Sequence, residues 1–124
     1  HHIDVVFMGI GENGHIAFND PHEADFHDPK RIKKVALDNV CRNQQVHDGC
    51  FRTLDEVPEY AITLTCPTLF SADRIFCVVP SGEKARAVEE TVKGPVSEKC
   101  PATILRKHPA ATMYVDAESG KYIV

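Results

Sequence analysis

The sequence predicts an α/β domain built on a mainly parallel sheet. Two apolar runs, residues 5–8 and 74–79, have the character of buried strands, and each ends in a loop that contains glycine. The second loop is followed by a helical pattern over residues 85–92 that is closed by Gly94. Strands that alternate with short helices in this way are typical of an α/β sheet, and the 124 residues are interpreted as a single domain.

The first half of the chain alternates predicted strands with polar connections. Residues 21–29 are rich in Asp, His and Pro and predict an exposed loop. Residues 30–37 predict a strand that starts with a basic cluster, which we interpret as a solvated strand edge rather than a phosphate or nucleic-acid site. Residues 41–47 carry enough hydrogen-bonding side chains to line a polar pocket. Thr53 and Glu56 have the spacing of a capping box and predict a short turn.

The second half predicts three more strands and short helices between them. Residues 60–66 alternate as a strand does, and Pro67 suits the first position of a helix that extends to about residue 71. Residues 74–79 form a near-continuous apolar run, which is typical of a strand covered on both faces. A short helix within residues 97–108 and a last strand at 112–115 complete the chain.

Composition excludes several classes of partner and site. The net charge of −4 and the 7% of aromatic residues disfavour a nucleic-acid or an anionic-membrane partner. The five cysteines are an odd number without a C-x-x-C pair, which indicates neither a closed disulfide set nor a zinc knuckle, and we predict no metal site. A reducing cytoplasmic location is expected, because no leader precedes Ile3 and no apolar run is long enough to cross a membrane.

The glycine-rich stretch at residues 9–21 follows the first strand and is the candidate site. Gly9, Gly11 and Gly14 match the dinucleotide fingerprint G-x-G-x-x-G. That fingerprint requires a helix to begin at the third glycine, and Pro21 leaves no room for a long helix here. The glycines are therefore interpreted as positions where the backbone can approach a ligand at the carboxyl edge of the sheet.

His15 and Asp20 are the candidate catalytic residues of this stretch. An imidazole titrates near neutral pH and can pass a proton in either direction, and Asp20 can hold one ring nitrogen so that the other faces a substrate. The alternatives are that His15 is a surface or capping group and that Asp20 is a turn residue before Pro21.

The stretch resembles the signature of the glucosamine-6-phosphate deaminases, G-x-G-x-[DN]-G-H-I-x-F-N-E-P. The related 6-phosphogluconolactonases share its Gly-Gly-His portion but continue differently, so residues 16–21 favour the deaminases. The resemblance continues through residues 57–63, 84–85, 90–94 and 100–102. It covers essentially the whole chain but only about the later half of such an enzyme, and the abrupt start at His1 and His2 also indicates a C-terminal portion.

The resemblance implies a fold, a reaction and a set of site residues. The fold is a Rossmann-like three-layer α/β architecture, and the reaction converts glucosamine 6-phosphate and water into fructose 6-phosphate and ammonia without a metal or organic cofactor. His15 is the implied ring-opening acid and base, oriented by Asp20 and Asn13. The family usually has glutamate in place of Asp20 and often aspartate in place of Asn13.

The remaining implied residues bind a phosphorylated amino sugar. Gly11 and Gly14 line the substrate site, and Lys84 matches a phosphate ligand of the family. We extend the phosphate role to Arg42, because a guanidinium binds phosphate oxygens through two hydrogen bonds at once. Many deaminases instead carry a serine-arginine-aromatic clamp slightly later, where this chain has residues 48–51, Asp-Gly-Cys-Phe, and the alternative is that Arg42 is an exposed helix arginine.

The rest of the implied machinery lies outside this sequence. The family's proton-abstracting aspartate and part of its phosphate loop belong to the other half, so we predict that this chain alone is inactive. The alternatives are a non-catalytic sugar-phosphate binding or regulatory module and a 6-phosphogluconolactonase-like hydrolase. The family includes oligomers, and we include a homo-oligomer among the expected partners.

Overall fold

The computed structural model describes residues 2–124 and contains five strands and three helices in that range. The strands are β1 (Val5–Met8), β2 (Ile32–Ala36), β3 (Tyr60–Leu64), β4 (Arg74–Val79) and β5 (Ala111–Val115), and the helices are α1 (Asn39–His47), α2 (Cys66–Phe70) and α3 (Ala85–Lys93). Three 3-10 segments lie at Leu54–Glu56, Gly82–Lys84 and Pro101–Lys107.

A parallel sheet of three strands, in the order β1-β4-β5, forms the centre of the fold. Val6 of β1 lies beside Ile75 of β4, and Cys77 of β4 lies beside Met113 of β5. The predicted α/β class with a mainly parallel sheet is confirmed. Because β1 and β4 run in the same direction, the loops that follow them meet at one edge of the sheet.

One face of this sheet is packed against helices and forms the core. Alternate residues of β4, namely Ile75, Cys77 and Val79, are at most 1% exposed and join one apolar cluster with residues of α2, α3 and segment 101–107. Hydrophobic and β-branched side chains at every second strand position give this one-sided burial.

The opposite face of the sheet is apolar but uncovered among the residues that the structure describes. Phe7 is 77% exposed and stacks on Phe76 at a ring-centroid distance of 5.3 Å, and Val78 and Tyr114 are each 51% exposed. The prediction that β4 is covered on both faces is therefore wrong for residues 2–124. The apolar run of β4 is typical of a strand that is buried on both faces, but no element within residues 2–124 packs against its second face.

Strands β2 and β3 form a separate antiparallel pair, and no pattern in the sequence predicted that these two strands pair. The buried face of the pair contains Val35 and Thr63. Lys34 lies on the exposed face, 4.4 Å from the ring centroid of Tyr60, and Lys33 forms an ion pair with Asp28 at 2.8 Å. The basic cluster therefore lies on a partly solvated strand, as interpreted from the sequence.

Two of the predicted helix-end signals, Pro67 and Gly94, lie where the sequence placed them, and the predicted capping box at Thr53 does not form. Pro67 lies in the first turn of α2, and Gly94 follows the last residue of α3. Thr53 precedes the 3-10 segment at Leu54–Glu56, but its side chain makes no capping hydrogen bond. In residues 2–124 no helix combines the length and the hydropathy needed to cross a bilayer.

Candidate active site

Two loops at the carboxyl ends of β1 and β4 form the candidate site. The loop after β1 contains Ile10, Gly11 and His15, and the loop after β4 leads through segment 82–84 into α3. The Lys84 ammonium crosses between them and donates to the Ile10 carbonyl oxygen at 2.7 Å. The parallel pairing of the two strands thus places the basic residue beside the glycine loop.

The glycines form a tight turn that makes room for other side chains. The Gly11 N–H donates to the His15 carbonyl at 2.9 Å and the Gly14 N–H donates to the Gly11 carbonyl at 3.0 Å. A Cβ at Gly11 would overlap the His15 ring, and a Cβ at Gly14, where φ is +81°, would overlap the Cys100 sulfur. These two N–H groups donate within the loop, so the glycines supply space for His15 and Cys100 rather than donors for a ligand.

No helix follows the third glycine before α1 begins at Asn39. Residues 15–31 instead form turns and one isolated bridge between Ile16 and Asn19. This geometry lacks the helix N-terminus on which a dinucleotide pyrophosphate rests, and it agrees with the rejection of that fingerprint.

His15 is held by two side chains through one ring nitrogen. Its Nδ1 lies 2.6 Å from Asn13 Oδ1 and 3.2 Å from Asp20 Oδ1. The same Asn13 oxygen accepts from the His15 backbone N–H at 3.1 Å. The residue is 8% exposed, so the ring is confined by its surroundings as well as by these hydrogen bonds.

The Asn13 amide determines which ring nitrogen carries the proton. Its nitrogen donates to Asp38 Oδ2 at 2.8 Å and to Asp20 Oδ1 at 3.3 Å, so its oxygen is the end that faces His15. An oxygen acceptor at 2.6 Å places the proton on Nδ1 in the neutral ring. Nε2 then carries the lone pair, and it is the ring nitrogen that can accept a proton.

Burial disfavours the charged forms of both His15 and Asp20. Burial lowers the pKa of His15, Asp20 opposes this shift, and the Lys84 ammonium adds to it. Burial also raises the pKa of Asp20, whereas hydrogen bonds from the Asp38 N–H and from Asn13 lower it. A histidine with a lowered pKa is neutral at physiological pH, which suits a residue that first acts as a base.

Lys84 lines a cleft of about 250 Å³ between the ends of β1 and β4. Its other lining residues include Gly9, Ser81 and Asp48. Ser81 has φ of +84°, and its N–H donates to Asp116 Oδ2 at 2.9 Å. This cleft beside the His15 loop has room for a small group next to the Lys84 ammonium, and the carboxylates of Asp48 and Glu83 also line it.

Arg42 lies on α1 and its guanidinium is directed at backbone carbonyls. Its Nη2 donates to the carbonyl oxygens of Leu54 and Val57 at 3.1 and 3.2 Å, and its Nε is buried without a partner among the described residues. The side chain thus fastens α1 to the segment before β3. This geometry gives no support to the predicted phosphate role of Arg42.

Three buried donors near the site have the chemistry of metal ligands. A nitrogen of His15, an oxygen of Asp20 and the Cys41 sulfur lie within 4.8 Å of one another. Burial raises the pKa of the Cys41 thiol to about 11, which disfavours the thiolate that a metal binds. We assign no metal here, and the absence of a metal stays a prediction.

One residue that contacts the site, Asp38, was missed in the sequence, whereas a second, Gln44, belongs to residues 41–47, which were predicted to line a polar pocket. Asp38 accepts from Asn13 and caps α1 by accepting from the Cys41 N–H at 2.7 Å, and Gln44 Oε1 accepts from the Glu12 N–H at 3.1 Å. Asp38 stands directly before the helix, which is a usual capping position, so the sequence carried the signal of a cap but not of a contact with Asn13.

This chain is similar to known proteins over most of its length. A family described as glucosamine-6-phosphate isomerases/6-phosphogluconolactonase matches residues 1–114. Glucosamine-6-phosphate deaminase from Bacillus cereus (strain B4264) is 38% identical over 117 residues, which are 94% of this chain and 43% of that protein. The enzyme of the same name from Bacillus thuringiensis (strain Al Hakam) is 39% identical over the same shares.

Solved structures give the same family. The structure of a monomeric glucosamine-6-phosphate deaminase has a TM-score of 0.87 and 34% identity over 95% of this chain and 47% of that chain. A 6-phosphogluconolactonase from Trypanosoma cruzi has a TM-score of 0.72 over 99% of this chain and 42% of that chain, with 18% identity, which shows the shared fold. The chain spans less than half the length of these relatives, and it belongs to the glucosamine-6-phosphate isomerase/6-phosphogluconolactonase family.

Proposed function

We propose that this chain is the C-terminal portion of a glucosamine-6-phosphate deaminase, in which His15 opens the sugar ring. The observation that carries the proposal is the hydrogen-bonded set of His15, Asn13 and Asp20 beside the Lys84 cleft. The chain's relatives at 38–39% identity are named deaminases, whereas its likeness to a 6-phosphogluconolactonase is one of fold. These facts favour deamination over lactone hydrolysis.

The geometry suggests how ring opening would proceed. With the proton on Nδ1, His15 Nε2 accepts the proton of the anomeric hydroxyl as the bond between C1 and the ring oxygen breaks. The imidazolium then returns that proton to the ring oxygen, which leaves an open-chain aldehyde and a neutral histidine. Asn13 and Asp20 keep the His15 imidazole in place during both proton transfers, and Asp20 stabilises the transient positive charge of the imidazolium.

Lys84 is the proposed phosphate ligand. Its ammonium lies next to the glycine loop and donates to a carbonyl that a phosphate oxygen can replace or join. The later steps move a proton from C2 to C1 and release ammonia. They need a further base, which we place in the part of the enzyme outside this chain, and therefore we expect residues 1–124 alone to be inactive.

The proposal also includes a cellular location and an oligomeric state. All five cysteines are free thiols, four of them buried, which supports a reducing cytoplasmic location. The similar solved enzyme is described as monomeric, and self-association of this protein stays a prediction.

A paired assay tests the proposed reaction. The assay uses the 124-residue chain and the protein that contains it, here called the longer protein. Each is given glucosamine 6-phosphate, and ammonia and fructose 6-phosphate are measured together. We expect equimolar release of both products by the longer protein and none by the chain. The same samples are given 6-phosphogluconolactone, and we expect no hydrolysis above the spontaneous rate.

The outcomes separate the alternatives. Lactone hydrolysis without ammonia release would replace the deaminase proposal with a lactonase. Binding of the sugar phosphate without turnover by the longer protein would indicate a regulatory module. Activity of the 124-residue chain would contradict the placement of the second base.

A further inference from the structure

We propose that Asp38 is a positioning residue that fixes the orientation of the Asn13 amide and, through it, the proton on His15. The inference rests on the proposed function, because it concerns the histidine that opens the sugar ring. Asp38 itself touches no reacting atom. It contacts both residues that hold His15, and it lies 18 residues beyond Asp20 in the chain.

Each polar group of Asp38 has a separate partner. Its Oδ1 accepts from the Cys41 N–H at 2.7 Å and caps α1, and its Oδ2 accepts from Asn13 Nδ2 at 2.8 Å. Its backbone N–H donates to Asp20 Oδ2 at 3.2 Å. The start of α1 is therefore connected directly to the two groups that hold the imidazole.

Asn13 needs such a partner because an amide has two unlike ends. The His15 ring and the His15 backbone N–H both require the oxygen end, at 2.6 and 3.1 Å. The nitrogen end then needs acceptors, which are Asp38 Oδ2 at 2.8 Å and, at a longer distance of 3.3 Å, Asp20 Oδ1. A carboxylate at position 13 would present an oxygen to His15 in either orientation and would not need Asp38 for this purpose.

The helix cap makes this role testable with a single substitution. In Asp38→Asn the side-chain oxygen remains at the cap, since the Cys41 N–H must be accepted and asparagine is a good N-cap. The new NH₂ group then occupies the position of Oδ2 and faces the NH₂ group of Asn13. Two donors face each other unless Asn13 turns over, and a turned Asn13 presents its NH₂ group to His15.

A rotation of the Asn13 amide changes which nitrogen of His15 carries the proton. A turned Asn13 removes the acceptor at 2.6 Å from Nδ1 and favours the tautomer with the proton on Nε2. That tautomer has no lone pair on the nitrogen that must accept the anomeric proton. Because general acid–base catalysis typically contributes roughly 100-fold or more to the rate, loss of most of the competent tautomer should lower kcat/KM by roughly 10- to 100-fold.

The test is a double-mutant cycle in the longer protein, with glucosamine 6-phosphate turnover and nitrogen NMR of the histidine rings as readouts. Wild type, Asp38→Asn, Asn13→Asp and the double variant are compared, and Asp55→Asn serves as the charge-matched control because Asp55 is exposed. We expect Asp38→Asn to lower kcat/KM by about 10-fold or more through kcat, with the Nδ1–H population of His15 reduced. In the Asn13→Asp background the second oxygen of residue 13 faces Asp38 Oδ2, so Asp38→Asn replaces two opposed carboxylates with a donor and an acceptor, and kcat/KM should fall by less than about 3-fold or rise.

The cycle separates positioning from capping and from charge. A cost of Asp38→Asn that is equal in both backgrounds, or an unchanged His15 tautomer, would overturn the proposal. If Asp38→Asn does not fold, Asp38→Ser, which keeps a capping oxygen, replaces it in the cycle with the same expected coupling. If the longer protein does not deaminate glucosamine 6-phosphate, the proposed function fails, and the NMR comparison still decides whether Asp38 sets the tautomer.

Discussion

Replacing Gly11 by alanine tests whether the glycine loop exists to make room for the imidazole. The added Cβ would lie closer than 3.0 Å to three atoms of the His15 ring. Gly11 does not have a positive φ, so the substitution introduces no backbone strain of the kind expected at Gly14. Its cost therefore comes from packing alone.

The size of the effect follows from how far the ring must move. The ring has to shift by more than about 1 Å for its nearest atom to reach an ordinary contact distance, and a displacement of about 1 Å in a catalytic group already costs on the order of 100-fold in rate. The same overlap should lower the free energy of unfolding by about 1–3 kcal/mol. Both effects are large because His15 is only 8% exposed and cannot turn freely toward solvent.

The assay compares Gly11→Ala with Gly82→Ala in the longer protein. A Cβ at Gly82 would lie at an ordinary contact distance of 3.6 Å from the Glu118 Cβ, and Gly82 does not line the Lys84 cleft, so this variant is the control for the change itself. We expect kcat/KM to fall about 100-fold for Gly11→Ala and to stay within about 3-fold for Gly82→Ala. Equal activity of the two variants, with equal denaturant midpoints, would refute the account of the loop.

The other predictions concern charge. Because burial and Lys84 lower the pKa of His15, the acid limb of kcat/KM should lie below the pH at which an unperturbed histidine titrates, and Lys84→Met should move it upward; a pH profile in which Lys84→Met moves the limb downward would contradict this. Lys84→Met should also weaken binding of glucosamine 6-phosphate by about 10-fold while leaving glucosamine unaffected, and calorimetry that finds equal losses for both sugars would remove the phosphate role. Arg42→Met should lower the free energy of unfolding by about 1–3 kcal/mol, because the Leu54 and Val57 carbonyls lose their donor, with little change in KM; a selective rise in KM with unchanged stability would restore Arg42 as a phosphate ligand.

The sequence predicted most of the elements because their signals are local. The apolar runs at β1 and β4 and the glycine after α3 mark strands and a helix end within a few residues. His15, Asn13 and Asp20 lie within eight consecutive positions, so a single loop could bring them together, and the structure does so.

The features that were missed depend on contacts between distant residues. The antiparallel pairing of β2 with β3 joins Ile32 to Leu64 across the whole of α1, and no local pattern specifies that partner. Asp38 meets Asn13 across 25 positions, so its capping role was readable but its second contact was not.

The chemistry of a residue also does not specify where its side chain points. Arg42 has the guanidinium of a phosphate ligand, yet its side chain is directed at two backbone carbonyls. The apolar run of β4 indicates burial on both faces, yet Val78 is exposed. The residues of a strand indicate that a face is apolar, but they do not specify which element covers that face.

The most direct test of the central claim is turnover and binding by His15→Gln in the longer protein, with His47→Gln as the control because His47 is exposed at the end of α1. Glutamine can still accept or donate a hydrogen bond but cannot exchange a proton at neutral pH. The account predicts that kcat for glucosamine 6-phosphate falls at least about 100-fold in His15→Gln, with sugar-phosphate affinity within a few-fold of wild type, and that His47→Gln is unchanged. Turnover by His15→Gln at the wild-type rate would contradict the assignment of His15 as the ring-opening acid and base.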